Sequence, residues 1–122
     1  MAFAISAGAV IRPITSTIEE GFSLPKVEKF EELINERTRA ILICNPNNPT
    51  GYLYTRREMN QIRDLVKKYD LYLFSDEVYR EYIYTGSPIS LPAIWRASSR
   101  MSFSSTRCRS ATRSAVSALV RL

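Results

Sequence analysis

Two short stretches hold the side chains best suited to gripping a small polar ligand. They are NPNNPTG, Asn45 to Gly51, and SDEVY, Ser75 to Tyr79. Each closes an apolar run, AILIC before the first and LYLF before the second. Asparagine amides, a carboxylate and a phenol offer hydrogen-bond donors and acceptors in defined directions. In a doubly wound sheet, ligands gather at the carboxyl ends of the strands, which is where both clusters would fall. Taken singly, the first also reads as a proline-stiffened turn, and the second as an acidic strand end leading into a surface turn. A plain turn, however, needs far fewer special residues than NPNNPTG contains.

The elements that must position these clusters are legible in the pattern around them. AILIC is a short, continuously apolar run, as expected for a strand covered on both faces. YTRREMNQIRDLVKKYD predicts a helix: Thr55 and Glu58 have capping-box spacing, and Met59, Ile62, Leu65, Val66 and Tyr69 form one apolar stripe. Lys67 and Lys68 complement the negative end of its dipole. LYLFSDEVY follows as a second buried strand, so strand, helix and strand make a parallel unit with a right-handed crossover. Upstream, AGAVIRPI predicts a strand that Pro13 confines to an edge or an exit. GFSLPKVEKFEELINERT predicts a helix starting near Pro25, with Val27, Phe30, Leu33 and Ile34 on one face. The fold class expected is α/β, a partial three-layer arrangement with a mainly parallel sheet.

At 122 residues, 45% of them hydrophobic, the chain suffices for one ordinary domain with a real core. Its formal charge of +5 invites a nucleic-acid reading, but the charge is unevenly placed. No acidic residue follows Glu81, and the six arginines beyond it carry the excess; residues 1–81 hold eleven basic and twelve acidic side chains. Two cysteines, Cys44 and Cys108, give no disulfide framework, so a reduced, cytoplasmic setting is expected. The opening MAFAISAGAVI lacks a charged leading segment and is too short to span a bilayer, so it reads as buried structure and no membrane partner is expected.

Taken together, in this order and with a capped helix between them, NPNNPTG and SDEVY resemble the fold-type I pyridoxal-phosphate enzymes, specifically the aspartate-aminotransferase-like class I/II aminotransferases. The resemblance extends from about Met1 to Tyr84. It implies pyridoxal 5'-phosphate as cofactor and an amino acid and a 2-oxo acid as substrates, in an enzyme that is commonly a homodimer. It also implies roles for three residues. Asp76 would accept a hydrogen bond from the protonated pyridine nitrogen and keep the ring cationic. Asn48 and Tyr79 would hydrogen-bond the ring's phenolic oxygen and fix its plane. A cis bond between Asn48 and Pro49 would aim the Asn48 side chain inward. Glu77 should point to the opposite side if the strand continues past Asp76, and is read as structural. Arg80 and Glu81 are read as solvated surface, and Tyr82 and Tyr84 as packing. No residue is assigned as catalytic or as a metal ligand.

The family also implies a Schiff-base lysine a few dozen residues after SDEVY, yet no lysine follows Lys68. Family members are several times longer than this chain, so residues 1–87 are expected to be an internal piece of the large domain, inactive as this chain. From about residue 88 the composition shifts to a basic Ser/Arg-rich tail without acidic partners. Rereading each codon there one base earlier permits HLEG across Ala93 to Ala97 and DSVSKRYSECGIRIGA across Ser105 to Arg121. Arg109-Ser110 written CGA-AGC, for example, contains AAG, a lysine codon. That string resembles the family's Schiff-base segment, so a one-base frameshift near Pro88 is inferred, with 88–122 as out-of-frame, poorly ordered sequence. The alternative is a non-enzymatic α/β module whose basic tail binds nucleic acid. It is disfavoured because the recovered frame makes sense of the tail's composition.

Overall fold

The structure is a computed structural model and describes residues 5–84, 101–104 and 117–121. Among the described residues, elements follow one another as β1 (Val10–Ile14), α1 (Val27–Glu31), β2 (Thr38–Cys44), α2 (Arg56–Lys68), β3 (Tyr72–Asp76), β4 (Met101–Ser104) and β5 (Ser117–Arg121). They form one sheet in the order β1-β5-β2-β3-β4.

The expected strand-helix-strand unit is present. β2 pairs with β3 in parallel, from Ala40 opposite Tyr72 to Cys44 opposite Asp76. α2 connects them, and its start is fixed by a complete capping box: the Thr55 side chain accepts from the Glu58 backbone N–H, and the Glu58 carboxylate takes the Thr55 N–H. Met59, Ile62, Leu65 and Val66 of α2 are buried. They meet Ile41 and Ile43 of β2, Leu73 of β3, Leu119 of β5 and Phe30 of α1 in one core. Alternation along the strands leaves Leu42 and Phe74 on the other face, where they are only half-buried. Among the described residues, then, the helices cover one face of the sheet.

Two expectations are corrected. The sheet is α/β but not mainly parallel: β3 with β4 and β2 with β3 are parallel, whereas β5 runs antiparallel to both β1 and β2. Strand direction is set by the path of the connections, and an isolated run such as SALVR carries no mark of it. Burial of Leu119 beside Ile41 is satisfied either way. The helix expected through GFSLPKVEKFEELINERT is one short turn and a half, Val27–Glu31, with no side-chain cap at Lys26. An Asn35 turn competes with it. The Asn35 carboxamide oxygen takes the Arg37 N–H at 3.0 Å, the Asn35 carbonyl takes the Thr38 N–H at 2.8 Å, and the Thr38 hydroxyl takes the Asn35 N–H. Pro13 lies in β1 at the sheet edge, as its missing N–H requires.

The segment from 88 onward supplies β4 and β5. The boundary at 87/88, the stretch 93–97 and residues 105–116 lie outside the described residues. No described helix is long and apolar enough to cross a membrane.

Candidate functional site

The three asparagines of NPNNPTG do three different jobs. Asn45 is fully buried. Its backbone N–H donates to the Asp76 carbonyl at 2.9 Å, extending the β2/β3 ladder by one bond. Its carboxamide oxygen accepts from the Tyr54 N–H at 2.9 Å, and its amide nitrogen lies 3.9 Å from the Met59 sulfur. One side chain thus pins the far end of the loop and the first turn of α2 to the end of β2. Asn47, also buried, closes the loop itself: its carbonyl takes the Gly51 N–H, its N–H reaches the Tyr52 carbonyl, and its side-chain oxygen takes the Thr50 hydroxyl at 2.8 Å. Gly51 at φ +72° supplies the left-handed residue this turn requires. Asn48 alone of the three is exposed.

Asn48 reaches across 31 residues of sequence. Its amide nitrogen donates to the Tyr79 hydroxyl at 2.5 Å. The Asn48–Pro49 bond is cis, as expected, and so is Asn45–Pro46, which the sequence reading did not anticipate. Tyr79 sits in a turn closed by Arg80 N–H to the Glu77 carbonyl and Tyr82 N–H to the Tyr79 carbonyl. Its ring lies 6.1 Å from that of Tyr82.

Asp76 ends β3 between Cys44 of β2 and Ser104 of β4. It is half-buried, and its carboxylate takes the Val78 N–H at 3.2 Å. Cys44 lies opposite Asp76 in the β2/β3 register. Burial pushes its pKa up, the nearby Asn48 N–H works against that, and the Asp76 charge adds to it. A thiol whose pKa is raised carries less thiolate and is a weaker nucleophile for it. Of the three residues singled out from sequence, Asn48 and Tyr79 are joined by a hydrogen bond, and Asp76 ends β3 three residues before Tyr79. Glu77 follows the end of β3 and is buried.

The sequence reading missed how the loop is held in place. Glu58, recognised only as the capping-box partner of Thr55, also accepts from the Leu24 N–H at 2.8 Å and from the Tyr52 hydroxyl at 2.9 Å. Burial alone would raise its carboxyl pKa, but the hydrogen bonds from Thr55, Leu24 and Tyr52 outweigh this and hold it below the ordinary value. Capping-box spacing revealed the local half of this hub. The bonds to Leu24 and Tyr52 depend on how the chain returns, which spacing does not encode.

Comparison with known proteins gives a consistent set of matches. The family model for aminotransferase class I and II matches residues 2–110. The aspartate/prephenate aminotransferase of Thermus thermophilus is 37% identical over 84 residues, 69% of this chain and 22% of that protein. The aspartate aminotransferase of Thermotoga maritima is 38% identical over 81 residues, 66% of this chain and 21% of its own length. Among solved structures, that of the Thermus thermophilus aspartate aminotransferase with maleate superimposes with a TM-score of 0.56 at 37% identity, covering 62% of this chain and 19% of the other. The chain thus spans about a fifth of the length of the relatives it matches.

Proposed function

The chain belongs to the class I and II aminotransferases, and from that premise we propose that Asn48, Asp76 and Tyr79 form part of a pyridoxal 5'-phosphate site. The observation that carries this reading is the Asn48–Tyr79 hydrogen bond, which joins the segments that follow two adjacent parallel strands, the second ending at Asp76. The donor set fits the group. Asn48 uses one amide hydrogen on Tyr79 and keeps a second, and the Tyr79 hydroxyl keeps its own, so two donors remain for a phenolic oxygen. Asp76, oriented by the Val78 N–H, offers a carboxylate to a protonated ring nitrogen. When bound, the cofactor supplies an electron-withdrawing ring for breaking bonds at the α-carbon of an amino acid. Asp76 holds the proton on the ring nitrogen, and Asn48 with Tyr79 fixes the ring plane.

The parent reaction on this reading moves an amino group between an amino acid and a 2-oxo acid, in a cytoplasmic homodimer. This chain does not carry it out, because no lysine follows Lys68 to anchor the cofactor and move the α-proton. The out-of-frame origin of residues 88–122 belongs to the same reading. Its check is the nucleotide sequence: AAG or AAA straddling Arg109 and Ser110 supports it, while stops or unrelated residues in the shifted frame sink it.

Cofactor binding is tested with pyridoxamine 5'-phosphate, whose amine cannot form adducts with the surface lysines, titrated into the 122-residue chain and followed by ring absorbance. Removing a charge-assisted hydrogen bond of about 1.5–3 kcal/mol weakens binding roughly 10- to 100-fold, so Asp76→Ala should lose at least tenfold. Equal binding by the parent and Asp76→Ala overturns the assignment. Salt-sensitive binding to random DNA without cofactor binding would favour the basic-tail module instead.

A further inference from the structure

Glu58 divides its two carboxylate oxygens between two tasks. Oε2 serves the start of α2, taking the Thr55 N–H and the Thr55 hydroxyl, both at 2.7 Å. Oε1 serves the chain beyond the helix, taking the Leu24 N–H at 2.8 Å and the Tyr52 hydroxyl at 2.9 Å. Helix capping accounts for the first oxygen. It does not account for the second, whose partners lie 34 and 6 residues away, one in the segment entering α1 and the other at the exit of NPNNPTG. Through Tyr52 this anchor reaches Asn48. The Tyr52 carbonyl takes the Asn47 N–H at 2.9 Å, and the Tyr52 N–H donates to the Thr50 hydroxyl at 3.2 Å. That hydroxyl donates in turn to the Asn47 side chain at 2.8 Å, and the Gly51 N–H donates to the Asn47 carbonyl. Residues 47–52 are thus knit into one closed turn, with Asn48 and Pro49 on it. Asn45 fixes the entrance to this turn by its bond from the Tyr54 N–H, and the Tyr52 hydroxyl fixes the exit.

We propose that the Tyr52–Glu58 hydrogen bond is a clamp that holds Asn48 against Tyr79, which makes Tyr52 and Glu58 positioning residues, while the Thr55 side of the same carboxylate serves the helix alone. The chemistry suits a clamp. A hydrogen bond to an ionised acceptor is stronger than a neutral one, and Leu24 and Thr55 already fix the direction in which the carboxylate points. Asn48 is exposed, so packing does little to hold its amide in place, and its bond to Tyr79 depends on where the turn sits. The clamp stands on the fold alone; its effect on a cofactor rests on the site proposed above.

Two variants separate positioning from stability. Tyr52→Phe removes the hydroxyl and keeps the ring, which packs edge-on to Tyr54 with 5.7 Å between centroids. Thr55→Ala removes the cap and leaves Oε1 with both its partners. Each deletes one hydroxyl from the same carboxylate, so thermal unfolding should show similar losses, about 3–6 °C in Tm. The Asn48 side-chain amide tells them apart. Its proton pair is followed in proton–nitrogen correlation spectra of the 122-residue chain, assigned by its disappearance in Asn48→Ala, with Tyr79→Phe marking its position when the bond is broken. Tyr52→Phe should move the pair toward the Tyr79→Phe position, and Thr55→Ala should leave it where the parent has it. An unmoved pair in Tyr52→Phe, or an equal displacement in Thr55→Ala, overturns the clamp. A Tyr52→Phe chain that does not fold overturns it too, because the bond would then serve the whole fold and not the turn. Pyridoxamine 5'-phosphate affinity tests the consequence for the site. Tyr52→Phe should bind several-fold more weakly and Thr55→Ala like the parent, whereas equal binding by both variants refutes that consequence. A parent chain that binds none defeats the cofactor site, while the Asn48 amide still decides the clamp.

Discussion

Asn45 and Asn48 differ by three residues and should differ completely in what their loss costs. Asn45→Ala removes the side-chain oxygen that accepts from the Tyr54 N–H, in a fully buried setting. An orphaned buried donor costs about 1–3 kcal/mol, and the small cavity left beside Met59 adds roughly 1 kcal/mol. The expected loss is about 2–4 kcal/mol, from a total that for a chain of this size is on the order of 6–18 kcal/mol. Asn48→Ala removes one hydrogen bond at an exposed amide, so its cost should stay within about 0.5 kcal/mol. Urea denaturation followed by circular dichroism separates the two. With a slope of about 2 kcal/mol per molar, Asn45→Ala should shift the midpoint down by roughly 1–2 M and Asn48→Ala by a few tenths at most. Cofactor affinity should rank the folded variants in the opposite sense, with Asn48→Ala the more affected. If Asn45→Ala unfolds at the parent's midpoint, or Asn48→Ala costs as much as Asn45→Ala, the division of labour within NPNNPTG is wrong.

Two further outcomes follow from the hub at Glu58 and the ring pair packed beside it. Glu58 is held below the ordinary carboxylate pKa, so its contribution is present above the unfolded value near 4.3 and is lost as pH falls through the folded one. Glu58→Gln should cost about 1 kcal/mol at pH 7, after allowing for its partial exposure. The gap should close in acid, and a gap of constant size from pH 7 to pH 3 in equilibrium unfolding would contradict this account. Tyr52 is pushed up to about 12 by burial, helped by its hydrogen bond to the Glu58 carboxylate and by that group's charge, and burial also drives Tyr54 upward. Of the seven tyrosines, at least these two should stay protonated at pH 11 while the chain is folded. Ionisation of all seven before unfolding, read from phenolate absorbance, would show the Tyr52–Tyr54 pair to be solvated.

The features legible from sequence are those whose physics is local. Capping-box spacing located the start of α2, the 3.6-residue stripe identified its buried face, and a continuous apolar run marked β2. β3 ends at Asp76, so the period of two that would set Glu77 opposite it does not reach Glu77, which is buried while Asp76 is half-buried. Asn48, Asp76 and Tyr79 could be named because NPNNPTG and SDEVY resemble a known family. That Asn48 and Tyr79 touch, however, is a fact of the β2/β3 register, which brings residues 31 apart within hydrogen-bonding distance.

What only the tertiary structure decided involves groups whose partners come from elsewhere in the chain. The same residue type serves as a buried staple at Asn45, a loop clasp at Asn47 and an exposed donor at Asn48, because burial is settled by what packs above each. Glu58 gathers Leu24 from 34 residues away, and Leu119 brings an antiparallel strand beside β2. Local sequence fixes backbone propensity and which face is apolar. The direction of a strand and the partner of a polar group depend on the path of the whole chain, and no window of neighbouring residues contains that path.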